Sequence, residues 1–250
     1  LAQDPKSPDT WYAGGGEPIA NSASTAGAFF LGYGIWKSVN NGVTWTKLDK
    51  TVTNIDGTTK ILPGTLEAFD NPFDVVHRII VHPVTSDVYV AGHRRIIKSS
   101  NGGTSWNVVL TGTKGACSDN GQTDVAVTAD GSRLYAAING GNPEADFRGV
   151  YTSTTGNANQ WNRIAGGNDD VTKKDTVTGW RGNSFIASSF CSGTFVSKRI
   201  VLGIAPSNAN LLYVTYENGE SQSGSTGKPE ADLFKMVIQN DGSRKWTNLS

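Results

Sequence analysis

The stretch IWKSVNNGVTW, from Ile35 to Trp45, returns at the same spacing as IIKSSNGGTSW, from Ile96 to Trp106. Every copy of a repeated unit must supply its own turn and its own buried ring, so punctuation that recurs in this way marks a repeated structure. Around the two boxes a longer unit is legible: a short strand, a turn, a second strand ending in an aromatic, a third strand, the box and a fourth strand. The copies open on LAQDPKSPDTWYAGG, RIIVHPVTSDVYVAG, DVAVTADGSRLYAAING and RIVLGIAPSNANLLYVTYE, and their closing segments carry Trp45, Trp106, Trp161 and Trp246.

Four short strands per copy, with β-branched and aromatic residues suited to sheets packed on both faces, predict an all-β chain of four-stranded antiparallel blades set radially as a β-propeller. The blades are expected at about 1–48, 76–110, 123–164 and 199–250 of a single propeller segment, with the four tryptophans in equivalent places. Their period of 55 to 85 residues exceeds that of a minimal blade because loops are inserted. Four blades make a tight ring, and both chain ends fall within blades. The expectation is therefore part of a larger propeller, or a fragment of a longer exported polypeptide.

The box itself reads as the hairpin between the third and fourth strands. Ser38 and Ser99 close the third strand, Asn40 and Asn101 have the short side chains that bond turn amides, and Gly42 and Gly103 supply positive φ. Trp45 and Trp106 bury large rings beside the turn. These residues are structural. Thirty glycines and one methionine fit such a turn-rich chain,.

This Ser-x-Asn-x-Gly-x-Thr/Ser-Trp pattern resembles the Asp-box, or bacterial neuraminidase repeat, of sialidases, sortilin-type receptors and xyloglucan-cleaving enzymes. Asn40 and Asn101 stand where that family usually has Asp, and the third and fourth copies, YTSTTGNANQW and MVIQNDGSRKW, are degenerate. The resemblance implies a secreted or cell-surface propeller. Because the same box occurs in enzymes and in pure binders, it does not by itself imply a reaction.

Balanced charge, with 22 basic and 22 acidic residues, gives no field that would favour nucleic acid or an anionic membrane,. Apolar runs are strand-sized, so no membrane span is expected. No phosphate loop, nucleophile elbow or zinc motif is present, and no cofactor or metal is assigned. Asp169, Asp170 and Asp175 have the oxygens calcium takes but lack a full binding-loop pattern.

Long connections are expected on one face, around the channel mouth: 14–33, 139–149 and 217–232 within blades, and 49–75, 111–122 and 165–198 between them. Binding residues are expected there. The candidates are Trp180, Arg181, Phe185 and Phe190 from the aromatic-rich third link, together with Asp70, Asp74 and Glu217. Trp180 beside Arg181 suits a sugar ring or a protein partner if it is exposed, and a loop mini-core if it is not. Cys117 and Cys191 lie in consecutive links and are either a disulfide, which would fit an oxidising, exported setting, or two buried thiols. The tetrapeptide PEAD, at Pro143–Asp146 and again at Pro229–Asp232, is expected to set a strand's extended start and cap a turn.

Sialidase chemistry, as the resemblance implies it, requires an arginine triad. Arg78-Ile79-Ile80 and Arg199-Ile200-Val201 are the nearest segments, and both begin innermost strands. Other glycosidases require two facing carboxylates, for which Asp70, Asp74, Asp119, Asp124 and Glu217 are available. His77, His82 and His93 read as packing or turn residues. The expected function is recognition of a glycan or protein partner at the loop-rich face. The alternative is a glycoside hydrolase, sialidase-like or xyloglucanase-like, with part of its site outside this segment; a third reading is a subunit of a larger exported assembly, marked by an apolar interface on the outer blades, and no catalytic residue is assigned.

Overall fold

The computed structural model describes residues 1–20, 28–30, 32–52, 71–111, 122–138, 149–166, 180, 199–217 and 231–250. The first blade comprises β1 (Ala2–Asp4), β2 (Ser7–Gly14), β5 (Ile35–Ser38) and β6 (Thr46–Lys47), with a small hairpin, β3 (Glu17–Ala20) and β4 (Ala28–Phe30), between its second and third strands. A single 3-10 turn, Asp49–Val52, follows. The second blade is β7 (Val76–Val81), β8 (Val88–Gly92), β9 (Arg95–Ser99) and β10 (Asn107–Thr111), and the third is β11 (Thr123–Val127), β12 (Leu134–Ile138), β13 (Gly149–Ser153) and β14 (Asn162–Ala165). The fourth is β15 (Ile200–Ile204), β16 (Leu211–Glu217), β17 (Ala231–Ile238) and β18 (Arg244–Asn248).

Within every blade the strands pair antiparallel in chain order. The first strands β1, β7, β11 and β15 stand side by side as the innermost layer. Among the described residues, β15 and β1 do not adjoin in the way that consecutive inner strands do. The chain is a β-propeller array, with blades stacked face to face.

Burial follows position in the stack. In the third blade β12 and β13 are buried at every residue, because another sheet covers each face,. In β17 exposed and buried residues alternate from Ala231 to Phe234, the signature of a sheet covered on one side,. Three apolar cores fill the gaps. Tyr12, Ile35, Phe73, Val90 and Trp106 lie between the first two blades. Tyr89, Ile96, Val125, Leu134 and Tyr151 lie between the second and third, and Tyr135, Val150, Val214, Phe234 and Met236 between the third and fourth.

The repeated hairpins are built alike. Ser38 Oγ accepts from Gly42 N at 2.9 Å and donates to Asn40 Oδ1 at 3.0 Å, and Thr44 N donates to the same oxygen at 2.9 Å. The Asn40 amide donates to Thr44 Oγ1 at 2.8 Å, and the Trp45 indole donates to Gly42 O at 3.0 Å. Ser99, Asn101, Gly103, Ser105 and Trp106 reproduce these bonds within 0.1 Å. Gly42 and Gly103 have φ of 84° and 94°, which a side chain would strain,.

The four tryptophans are not all equivalent, which corrects the expectation from the repeat. Trp45, Trp106 and Trp161 each precede a fourth strand, whereas Trp246 lies inside β18 opposite Met236, because the fourth hairpin turns without the box. Trp106 is buried edge-on against Phe73 at 5.2 Å, while Trp45 is only half-buried.

Tight turns between first and second strands tie blades together on one face. His82 Nδ1 accepts the backbone N–H groups of Val84 and Thr85, and its Nε2 meets Gly131 O of the third blade at 3.0 Å. Lys6 reaches Val84 O at 3.0 Å. The antiparallel order places the strand ends that carry the long connections on the opposite face.

Candidate functional site

At that opposite face the N-terminal ends of β7, β11 and β15 converge. His77, Arg78, Gln122, Thr123, Asp124, Arg199, Ile200 and Val201 line a pocket of about 300 Å³, counting the open space at its mouth. Arg78 of β7 and Asp124 of β11 hold the same register position, opposite Ala91 and Ala137, whereas the matching residue of β15 is Val201, opposite Thr215, and Arg199 lies just before that strand.

Arg78 and Asp124 form an ion pair, Nε to Oδ1 at 2.9 Å, between the second and third blades. The Asp124 carboxylate also accepts Val125 N on Oδ1 and Leu202 N of the fourth blade on Oδ2, both at 2.8 Å. Arg78 Nη1 donates to Leu202 O at 3.2 Å. Asp124 and Arg78 thus join three blades. Burial pushes the Asp124 carboxyl above its ordinary value, against the opposing pull of Arg78, of the Leu202 and Val125 N–H groups and of Arg199,. Thr123 is occupied as well, its hydroxyl donating to Gly92 O at 2.6 Å. Arg199 is exposed at the rim, and Gln122 is half-buried.

Two guanidinium groups against one carboxylate leave the pocket with a net positive charge. Arginine forks suit carboxylate, phosphate or sulfate, and the amide and backbone edges suit hydroxyl groups. Among the described residues no group of three or more His, Cys, Asp or Glu is arranged to hold a metal ion. No helix among them is long and apolar enough to cross a membrane.

Trp180 is not an exposed platform. It is fully buried between the third and fourth blades, stacked on Tyr216 with ring centroids 4.3 Å apart and edge-on to Trp246 at 5.8 Å. A bare Gly166 makes room for it, since a Cβ there would meet the indole at 2.8 Å. Asp74 is buried against the base of the β3–β4 hairpin, where its carbonyl accepts Gly32 N at 2.6 Å, and it does not line the pocket. Glu217 ends β16 on the loop-bearing side. Arg181, Phe185, Phe190, Asp70, Cys117 and Cys191 lie outside the described residues, as do Asp119, Asp169, Asp170, Asp175 and the first PEAD. In the second PEAD, Asp232 is buried within β17 and accepts the Tyr216 hydroxyl at 3.2 Å.

Arg78, Asp124 and Arg199 were each visible as strand-start residues. Their meeting was not, and His77, Gln122 and Thr123 carried no signal beyond adjacency to them.

No protein-family model matches the sequence, and no curated protein matches it. Among solved structures, an ancestral GH74 enzyme is similar over 98% of this chain and 26% of its own, with a TM-score of 0.51 and 16% identity. A protein of unknown function from Dyadobacter fermentans is similar at 12% identity over 93% of this chain and 56% of its own, with a TM-score of 0.41. YCF48 from Cyanidioschyzon merolae is similar at 12% identity over 86% and 52%, with a TM-score of 0.38. The chain thus spans about a quarter of the GH74 enzyme's length, and that likeness bears on the fold alone.

Proposed function

We propose that this chain is an exported propeller recognition module that binds a glycan or a protein partner at its loop-bearing face, holding a carboxylate- or hydroxyl-bearing group at the channel mouth. One observation carries this reading: two arginines and a buried carboxylate, each from a different blade, meet in the pocket where the long connections attach. Arg199 and Gln122 make the first contacts. Asp124 fixes Arg78 and aligns three blades, with both of its oxygens already engaged.

That engagement favours binding over chemistry. Glycoside hydrolysis ordinarily uses two carboxyl groups roughly 5 to 9 Å apart, one of them free to exchange a proton. Among the described pocket residues, Asp124 is the only carboxylate. The boxes' resemblance to the Asp-box supports an exported setting.

An array of neutral and uronic- or sialic-acid-bearing oligosaccharides tests the reading. Acidic glycans are expected to bind, and Arg199→Glu to weaken them by about tenfold or more with the circular dichroism spectrum retained. Binding indifferent to Arg199→Glu overturns the proposed pocket. Release of new reducing ends by the intact protein replaces recognition with hydrolysis.

A further inference from the structure

Asp124 and Arg78 are each tied to the backbone independently of the bond between them. The Asp124 carboxylate takes Val125 N on Oδ1 and Leu202 N on Oδ2, both at 2.8 Å, so it is held in place whether or not it carries a charge. Arg78 Nη1 donates to Leu202 O at 3.2 Å, which keeps the guanidinium beside the pocket without help from Asp124. The ion pair, Nε to Oδ1 at 2.9 Å, can therefore open while both partners stay where they are. The Arg78 side chain is also the more exposed partner, 37% against 8% for Asp124. An anion arriving from solvent meets the guanidinium first, and finds it engaged by a carboxylate.

Among the described residues, β7 contributes His77 and Arg78 to the pocket, β11 contributes Asp124, and the segment before β15 contributes Arg199; the other lining residues carry no charge. With His77 neutral, two arginines against one carboxylate give the site one net positive charge, and protonation of Asp124 makes it two. Protonation also turns an acceptor that repels an anion into a carboxyl group with an O–H donor.

We propose that the pocket takes up its anion together with a proton: a sugar carboxylate enters between Arg78 and Arg199 as Asp124 passes from carboxylate to carboxylic acid. This inference rests on the reading of the pocket as the site for an acidic partner, and adds Asp124 to the groups that meet it. The proton comes from the medium and enters on Oδ1, from which the Arg78 Nε–H turns to the ligand. Burial already pushes the Asp124 carboxyl upward, against the pull of Arg78 and Arg199, so the exchange lies nearer neutrality than for a surface aspartate,. An anion between the arginines draws part of that pull away and raises the proton affinity of Asp124 further. By linkage, what the proton does for the anion the anion does for the proton. The ligand that fits is a sugar acid still ionised in mildly acid conditions, such as a uronate, held more firmly in acid and released as the medium is neutralised.

Titration calorimetry of the protein with sodium glucuronate tests it, at pH 5 and pH 7 and in two buffers of different ionisation enthalpy. Glucuronate keeps its charge across this range. Its affinity is expected to be about three- to tenfold higher at pH 5, and the apparent enthalpy to differ between buffers as a proton is taken up. Asp124→Asn, a neutral isostere, is expected to abolish the pH dependence and the uptake, and to bind at pH 7 as firmly as the wild type does at pH 5. Equal affinity at both pH values without proton uptake overturns the proposal and leaves recognition by the pocket standing. So does a pH effect that survives Asp124→Asn and disappears in His77→Gln, since histidine is the side chain whose charge ordinarily changes near neutrality. Should Asp124→Asn fail to fold, His77→Gln decides: proton uptake retained there supports the proposal, and uptake lost overturns it. A protein that binds no glucuronate at either pH overturns the reading of the pocket itself.

Discussion

Replacing Arg78 with alanine removes the cation from a pair whose acid is far more buried than its base: the Asp124 side chain is 8% exposed and that of Arg78 is 37% exposed. Leaving a fully buried carboxylate without its partner costs about 3 to 5 kcal/mol. Here the exposure of Arg78 and the remaining N–H bonds from Leu202 and Val125 reduce this to about 2 to 3 kcal/mol at pH 7. The penalty depends on pH with a definite sign. The folded pKa of Asp124 already lies above its unfolded value, so its ionisation opposes folding; stability from this group is full below the unfolded pKa near ~3.9 and is lost as pH rises through the folded pKa,. Removing Arg78 raises the folded value further. In urea titrations the variant is therefore expected to lose about 2 to 3 kcal/mol at pH 7 but about 1 kcal/mol at pH 4, where the residual cost is the lost bond to Leu202 O. An equal loss at both pH values, or one below about 0.5 kcal/mol at pH 7, would refute the assignment of Asp124 as a buried, arginine-dependent carboxylate.

Gly156→Ala places a Cβ against the Tyr89 hydroxyl at a φ of 65°, and is expected to cost about 1 to 3 kcal/mol,. Tyr89→Phe in the same chain should recover part of that loss in thermal melts, and no recovery would show that backbone strain alone is responsible. Trp180→Ala removes a fully buried indole and is expected to cost about 3 to 5 kcal/mol, with loss of the near-ultraviolet signal of its stack on Tyr216,. A variant of unchanged stability would return Trp180 to the surface.

The blades were legible because their determinants are local. Ser38, Asn40, Gly42 and Trp45 bond to one another within eight residues, so their spacing alone predicts the hairpin. Arg78, Asp124 and Arg199 are instead brought together by the stacking of inner strands, and spacing along the chain says nothing of that distance. Trp180 was ambiguous for a related reason. An aromatic-rich link looks like a binding loop, and the space that takes the indole is made by Gly166, one unremarkable glycine among thirty. Trp246 was misaligned because the fourth hairpin turns on Asp241 and Ser243 and not on the box.

The corners of this molecule also differ in how they answer to acid. The β5–β6 and β9–β10 corners are closed by the amides of Asn40 and Asn101, which take up no proton in ordinary buffers and so hold their bonds as the medium sours,. The β11–β12 and β17–β18 corners rely on carboxylates. Asp130 is held below its usual range by the hydroxyl of Thr128 and by Ser132, and Asp241 by Ser243, so what they contribute is present above the unfolded value and disappears as pH falls through the folded one,. Acidification would accordingly loosen the β11–β12 and β17–β18 corners while the two amide-closed hairpins keep their bonds.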